Sequence, residues 1–262
     1  MTEEAPILFE RDGPIARLTL NRPSVGNAID IPMSQALLKA VIECDEDDAV
    51  RCVVITGAGR LFCAGGDVGA FAGAGEGLPG LLKELTSYLH SAISRLARMN
   101  KPLVVAVNGP AAGAGFSLAL LGDIVLTAPG AHFTLAYAGI GFSPDGGATW
   151  LLPRLIGLRR AQELALTNKR STAEEAAAMG LVTRVVEAEA LASEATAVAQ
   201  AIAASAVGAL GRTRNLLLSS FGNTLETHLE LEARSIAEAS RTAEGREGVR
   251  AFLEKRKPDF KG

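Results

Sequence analysis

The sequence predicts an α/β fold, and three observations carry that expectation. Short apolar runs alternate with longer stretches of helical periodicity through the first half of the chain. Two of those runs lead straight into glycine-rich turns, and the last third reads as capped or Ala-rich helix. Alternation of this kind implies right-handed crossovers and a mainly parallel sheet. A chain of 262 residues is long enough to bury a core that needs no covalent staples.

The elements follow in order. Residues 15–20 alternate, with Ala16, Leu18 and Leu20 on one face and Arg17 and Thr19 on the other, as in a half-buried strand. Asn21-Arg22-Pro23 ends it, and a helix with apolar positions at Met33, Leu37, Ala40 and Val41 follows. Residues 52–56 form a continuous apolar run, as strands buried on both faces do. Gly57-Ala58-Gly59 breaks the run. Residues 69–80 hold glycines at 69, 73, 75, 77 and 80 together with Pro79, the composition of a mobile loop. Leu82, Leu85, Leu89, Ile93 and Leu96 then share one stripe, which predicts a helix over 81–99. Further buried strands are expected at 103–107 and 124–126, and a short one at 184–186.

In the last third, Ser171-Thr172-Ala173-Glu174 has the capping-box pattern, with Ser171 as N-cap. Asn223 and Glu226 repeat it more weakly. Residues 188–206 are Ala-rich and helical, and Leu225, Leu229, Glu232 and Ile236 mark another helical face. The sequence shows no internal repeat and no linker. A core over 1–200 and a helical region over 201–262 are therefore expected within one fold unit.

Composition excludes several function classes. The formal net charge of -3 gives no electrostatic footprint for nucleic acid or an anionic membrane. Cys44, Cys52 and Cys63 are odd in number and lack paired spacing, so reduced thiols are expected. The start Met1-Thr2-Glu3-Glu4 has acids where a secretion signal needs bases. No apolar run approaches the roughly 18 residues of a membrane span. A cytoplasmic location is the expectation.

Two turns at the ends of buried strands are candidate ligand sites: Phe62-Cys63-Ala64-Gly65-Gly66-Asp67 and Gly113-Ala114-Gly115. Ligands bind at the carboxyl ends of strands in open α/β sheets. Two backbone N–H donors converging there make an oxyanion hole. Tight strand–helix packing without a ligand explains the same glycines equally well. Dinucleotide, P-loop and serine-hydrolase signatures are absent. His90, His132 and His228 have no partners at metal-ligand spacing, and each reads as a surface or core histidine without a catalytic role. Asp145, in Pro144-Asp145-Gly146-Gly147, reads either as a catalytic carboxylate or as the cap of the next helix.

Taken together, the motifs resemble those of the crotonase (enoyl-CoA hydratase/isomerase) superfamily. Arg22-Pro23 with Asn27-Ala28 comes first, then residues 62–67, then Asn108-Gly109 with Gly113-Ala114-Gly115, then residues 144–147. Residues 251–258 resemble the family's C-terminal helix. The resemblance implies a spiral of ββα repeats with a helical C-terminal trimerisation region, assembled as a homotrimer or dimer of trimers. It implies an acyl-CoA thioester substrate, with coenzyme A as part of that substrate and no separate cofactor or metal. The N–H groups of Gly66 and Ala114 would form the oxyanion hole. Backbone around Ala28, Ala64, Asp67 and Val68 would hold the coenzyme, and Phe252 and Lys255 would close the pocket from the same or a neighbouring subunit.

The two glutamates of the hydratase branch align with Ser117 and Tyr137, so both are missing, and the resemblance implies that these two side chains contact the substrate instead. Asp145 instead matches the carboxylate of the isomerase branches, and the Pro-Asp-Gly-Gly…Trp stretch is most similar to ring-1,2-epoxyphenylacetyl-CoA isomerases. The resemblance therefore implies an acyl-CoA isomerase with Asp145 as acid and base. An enoyl-CoA hydratase and a non-catalytic acyl-CoA-binding protein are the alternatives.

Overall fold

The computed structural model describes residues 5–260, so the acidic start Met1–Glu4 lies outside the described residues. The chain opens with a hairpin of β1 (Ile7–Asp12) and β2 (Ile15–Leu20), paired antiparallel. β2 buries Ala16, Leu18 and Leu20 and leaves Arg17 and Thr19 half-buried, as its alternation predicts. α1 (Ile31–Glu46) starts where the Asp30 carboxylate accepts from Met33 N at 2.9 Å. β3 (Cys52–Gly57) then joins β2 in parallel.

The glycine-rich stretch 69–80 departs from the expected loop. It holds α2 (Val68–Gly73), a 3-10 turn, and the first residues of α3 (Leu78–Arg98). Asp67 caps α2 by accepting from Ala70 N at 3.1 Å. Pro79 sits in the first turn of α3, where its missing N–H costs nothing.

β4 (Leu103–Val107), β5 (Ala111–Ala112) and α4 (Ala114–Ala119) follow, then β6 (Ile124–Thr127), β7 (His132–Thr134), α5 (Ala148–Ile156) and α6 (Leu158–Thr167). β8 (Ser171–Thr172) leads into α7 (Ala173–Met179), and β9 (Arg184–Val185) into α8 (Leu191–Ala203). α9 (Val207–Ser220), α10 (Leu225–Ser240) and α11 (Ala243–Leu253) complete the chain. The capping box before α7 is shifted by one residue from the expectation: Thr172 is the N-cap and Glu175 its partner. Ser171 is tied into the ladder opposite Phe133, so the helix cannot begin until the next residue. Likewise Thr224, not Asn223, caps α10.

The main sheet runs β1-β2-β3-β4-β6-β9 and is parallel apart from β1. A second layer, β5-β7-β8, is extended by single-residue bridges between Cys63 and Ala111 and between Ile29 and Gly66. The same order therefore recurs along the chain: a main-sheet strand, a very short second-layer segment, a helix. β2, Ile29 and α1 form one such unit; β3, residues 63–66 and α3 the next; β4, β5 and α4 the third. This is a ββα spiral. Main-sheet residues such as Val53, Ile55 and Val105 pack with Leu37, Leu89 and Leu96 of α1 and α3. The other face of the sheet packs on Leu191, Ala195 and Ala199 of α8. Burial on both faces is why these strands read as unbroken apolar runs.

Candidate active site

The spiral brings the two glycine-rich turns together, because β3 and β4 are neighbours and each turn leaves the same end of the sheet. Asn27 holds the first turn from below. It is fully buried, and its Nδ2 donates to the carbonyls of Ala58, Leu61 and Phe62 at 2.9, 2.9 and 3.1 Å. Its Oδ1 accepts from Arg22 N at 2.8 Å. Asn108 ties the second turn to the first, accepting from Gly57 N at 3.1 Å and donating to Gly59 O at 3.0 Å. The Asn-containing motifs are thus braces for the loops.

The two turns pack closely at Gly115, where a Cβ would lie 2.4 Å from Cys63 O, and again at Gly65. The φ of Gly65 is +103°, and a Cβ there would lie 2.9 Å from Ala112 O and 3.4 Å from Ala114 N. Only glycine lets the backbones approach this closely. Neither the Gly66 N–H nor the Ala114 N–H donates to a protein acceptor among the described residues. Both residues line one cavity of about 490 Å³. Its wall is mostly apolar, with Phe71 from α2, Leu82, Leu85 and Leu89 from α3, and Ile140 and Phe142 from the loop before α5.

Asp145 lines the same cavity. Its carboxylate does not cap α5, whose N-cap is Gly147. Instead Oδ1 accepts from the Tyr137 hydroxyl at 2.5 Å and Oδ2 lies 3.0 Å from His90 Nε2. Burial, with the charge of Asp145 beside it, pushes the Tyr137 phenol above its ordinary range, so the hydroxyl stays protonated and donates. Behind Asp145, Ser117 Oγ donates to the Asp145 carbonyl at 2.9 Å. Gly146 follows at φ +63°, and a Cβ there would sit 2.9 Å from Ser117 Cβ. The Gly-Gly pair is what turns the chain tightly enough to aim Asp145 into the cavity.

The residues predicted from sequence are not all brought together. Gly66, Ala114, Asp145, Tyr137, Ala64 and Val68 line the cavity. Ser117 does not: it is fully buried behind the Asp145 loop, so the expected substrate contact is replaced by a brace. The Ala28 carbonyl is occupied by Arg22 Nη1 at 2.5 Å, and the Asp67 carboxylate pairs with Arg22 at 3.2 Å. Phe252 is 84% exposed on α11, away from the cavity lining, and Lys255 lies just beyond that helix. Within one chain these two do not close the pocket.

His90 is the residue that sequence reasoning missed. The sequence marks no catalytic role for it, yet it touches the Asp145 carboxylate across 55 positions of sequence. No local pattern marks it, since its partner comes from a different element.

Residues 10–262 match the family described as enoyl-CoA hydratase/isomerase. The chain is 41% identical over 257 residues to a 1,2-epoxyphenylacetyl-CoA isomerase of Escherichia coli K12, covering 98% of each. It is 40% identical over 256 residues to a probable enoyl-CoA hydratase of Rhodobacter capsulatus, again covering 98% of each. Among solved structures, an enoyl-CoA hydratase from Polaromonas sp. JS666 superposes with a TM-score of 0.92 at 35% identity, over 97% of this chain and 98% of that one. With these matches along its whole length, and with its glycine turns and carboxylate gathered at the end of a ββα spiral, the chain belongs to the enoyl-CoA hydratase/isomerase family.

Proposed function

We propose that the protein is an acyl-CoA isomerase in which Asp145 moves a proton on a thioester enolate. The observation that carries this reading is that Asp145 is the one acidic side chain lining the cavity among the described residues. Tyr137 and His90 orient it, and two unused N–H groups, of Gly66 and Ala114, line the same space. The thioester oxygen would sit on those N–H groups. Asp145 would take a proton from the acyl chain, leaving the charge on the oxygen as an enolate, and return the proton at another carbon so that a double bond shifts. One base suffices for such a transfer, whereas hydration also needs a water held and deprotonated. Oxyanion donors of this kind supply roughly 2.7–4 kcal/mol each.

The apolar wall favours an acyl group with substantial hydrocarbon, straight or cyclic. The relative from Escherichia coli supports 1,2-epoxyphenylacetyl-CoA as the first substrate to try, the enolate there assisting rearrangement of the activated ring. The relative from Rhodobacter capsulatus supports a second reading, an enoyl-CoA hydratase.

A panel of acyl-CoA esters followed by proton NMR in deuterated water separates the two. We expect double-bond migration or ring rearrangement with exchange at the acyl carbons. We expect hydration of short straight-chain 2-enoyl-CoA with kcat/KM well below about 10⁶ M⁻¹s⁻¹, the range of efficient enzymes. Hydration at or above that level overturns the isomerase reading, and binding without any exchange makes the chain a non-catalytic acyl-CoA binder.

A further inference from the structure

The geometry points to His90 as a proton relay between Asp145 and solvent, which would set how often the proton held by Asp145 is lost before it returns to the substrate. This rests on the isomerase reading above. The contact made by His90 is unusual in what it demands of one nitrogen. Gly146 N–H donates to His90 Nε2 at 3.2 Å, and a peptide N–H can only donate, so in this arrangement Nε2 carries no proton. The same Nε2 lies 3.0 Å from Asp145 Oδ2. A bare nitrogen facing an ionised oxygen places two lone pairs against each other. The contact is satisfied only when one proton lies between them.

Two states satisfy it. In one, Oδ2 carries the proton and donates to Nε2, which also accepts from Gly146. In the other, Nε2 carries the proton and donates to Oδ2, while Gly146 N–H loses its acceptor. The states differ by one proton moved along an existing hydrogen bond. No bond other than those to that proton is made or broken. The first is the form Asp145 takes after removing a proton from the acyl chain.

The placement of His90 gives the second state an outlet. Asp145 belongs to the wall of the apolar cavity, whereas His90 belongs to a separate polar groove along α3, with Ser87, Ser91, Asp45 and Arg95. Its side chain is 49% exposed, against 29% for Asp145. Thr86, one turn before His90 on α3, lines both spaces. A bound acyl chain would fill the apolar side and shield the carboxylate from water, leaving the imidazole as its contact with the solvent side. His90 does not itself line the apolar cavity, so it acts through Asp145 as a positioning residue.

The test compares two quantities in deuterated water: the rate of isomerisation, and the deuterium content of product and recovered substrate by mass spectrometry. For the wild type we expect solvent deuterium in both. In His90→Gln, whose side chain can still accept from Gly146 but cannot pass a proton through a ring, isomerisation should fall with the loss of an orienting contact to Asp145, and exchange should fall further. The ratio of exchange to isomerisation should fall at least about tenfold, on the scale of a positioned acid–base group. His90→Asn carries the same expectation should His90→Gln fold poorly by circular dichroism.

An unchanged ratio at retained turnover overturns the relay and leaves the isomerase reading standing. Exchange and turnover lost in equal measure also overturn it, since His90 would then only orient the carboxylate. A wild type that neither isomerises nor exchanges any ester of the panel defeats the isomerase reading, and the relay with it.

Discussion

Asp145 holds its carboxylate between two partners that differ in kind, a phenol kept protonated by burial and an imidazole open to water. Replacing Asp145 with Asn preserves shape and the contact with Tyr137 while removing the base. Acyl-CoA binding should persist within a few-fold, and turnover should fall by roughly 10²–10⁴. Isothermal titration alongside steady-state kinetics checks both, and near-normal turnover would remove Asp145 from the mechanism. Asp145, Gly66 and Ala114 were legible in the sequence because each sits in a compact motif whose glycines force a turn. His90 was not, because its significance lies in a partner 55 residues away. Ser117 was legible only as a position. The sequence marks it as the site of a missing glutamate, but its burial and its bond to the Asp145 carbonyl belong to the packing of α4 against the loop before α5.

At the scale of elements, strands buried on both faces were readable and their short partners were not. β5 and β8 have two residues each, too few for any periodicity to register. Glycine content alone predicts a loop over 69–80, whereas the Asp67 cap and the early proline of α3 let helix form.

The end of the chain shows how one side chain fixes an element. Glu247 on α11 accepts from Arg256 at 2.6 and 3.0 Å, from Arg250 at 2.8 Å and from Asp259 N at 3.0 Å. These hydrogen bonds, led by Arg256, hold its carboxyl well below the usual carboxylate range. A depressed pKa means the folded chain prefers the ionised form. The stabilisation is then complete above the ordinary glutamate value of about 4.3, declines below it, and is gone once pH has fallen through the depressed one. Hydrogen exchange of residues 254–260 should therefore stay slow down to about pH 4 and accelerate only in stronger acid. Glu247→Gln should free the segment at neutral pH. Loosening of the wild type already near about pH 6 would refute the assignment.

For the whole molecule, the spiral left no repeat in the sequence because each unit is defined by the path of the backbone. The helix following the second-layer segment ranges from α4, with six residues, to α3, with twenty-one. What the sequence did carry was the change of texture in the last third, and the structure gives that change a physical content. α10 lies against α9 and α11, yet none of its sixteen residues is buried. Leu225, Leu229 and Ile236 remain exposed on it, with Leu217 on α9, Phe221 at the end of α9, and Phe252 and Leu253 on α11. Exposed apolar residues clustered on adjoining helices mark an association surface. Each such side chain contributes about 1.5–3 kcal/mol once removed from water, so covering several at once outweighs the entropy lost on association. We propose a homotrimer or dimer of trimers, with these helices at the contact. Sedimentation equilibrium should give the mass of three or six chains at micromolar concentration. Ile236→Glu, placing a charge where the partner would sit, should shift the distribution toward single chains while the monomer keeps its helical circular dichroism. A wild type that sediments as one chain, or an Ile236→Glu variant with unchanged mass, would show that these apolar side chains face solvent.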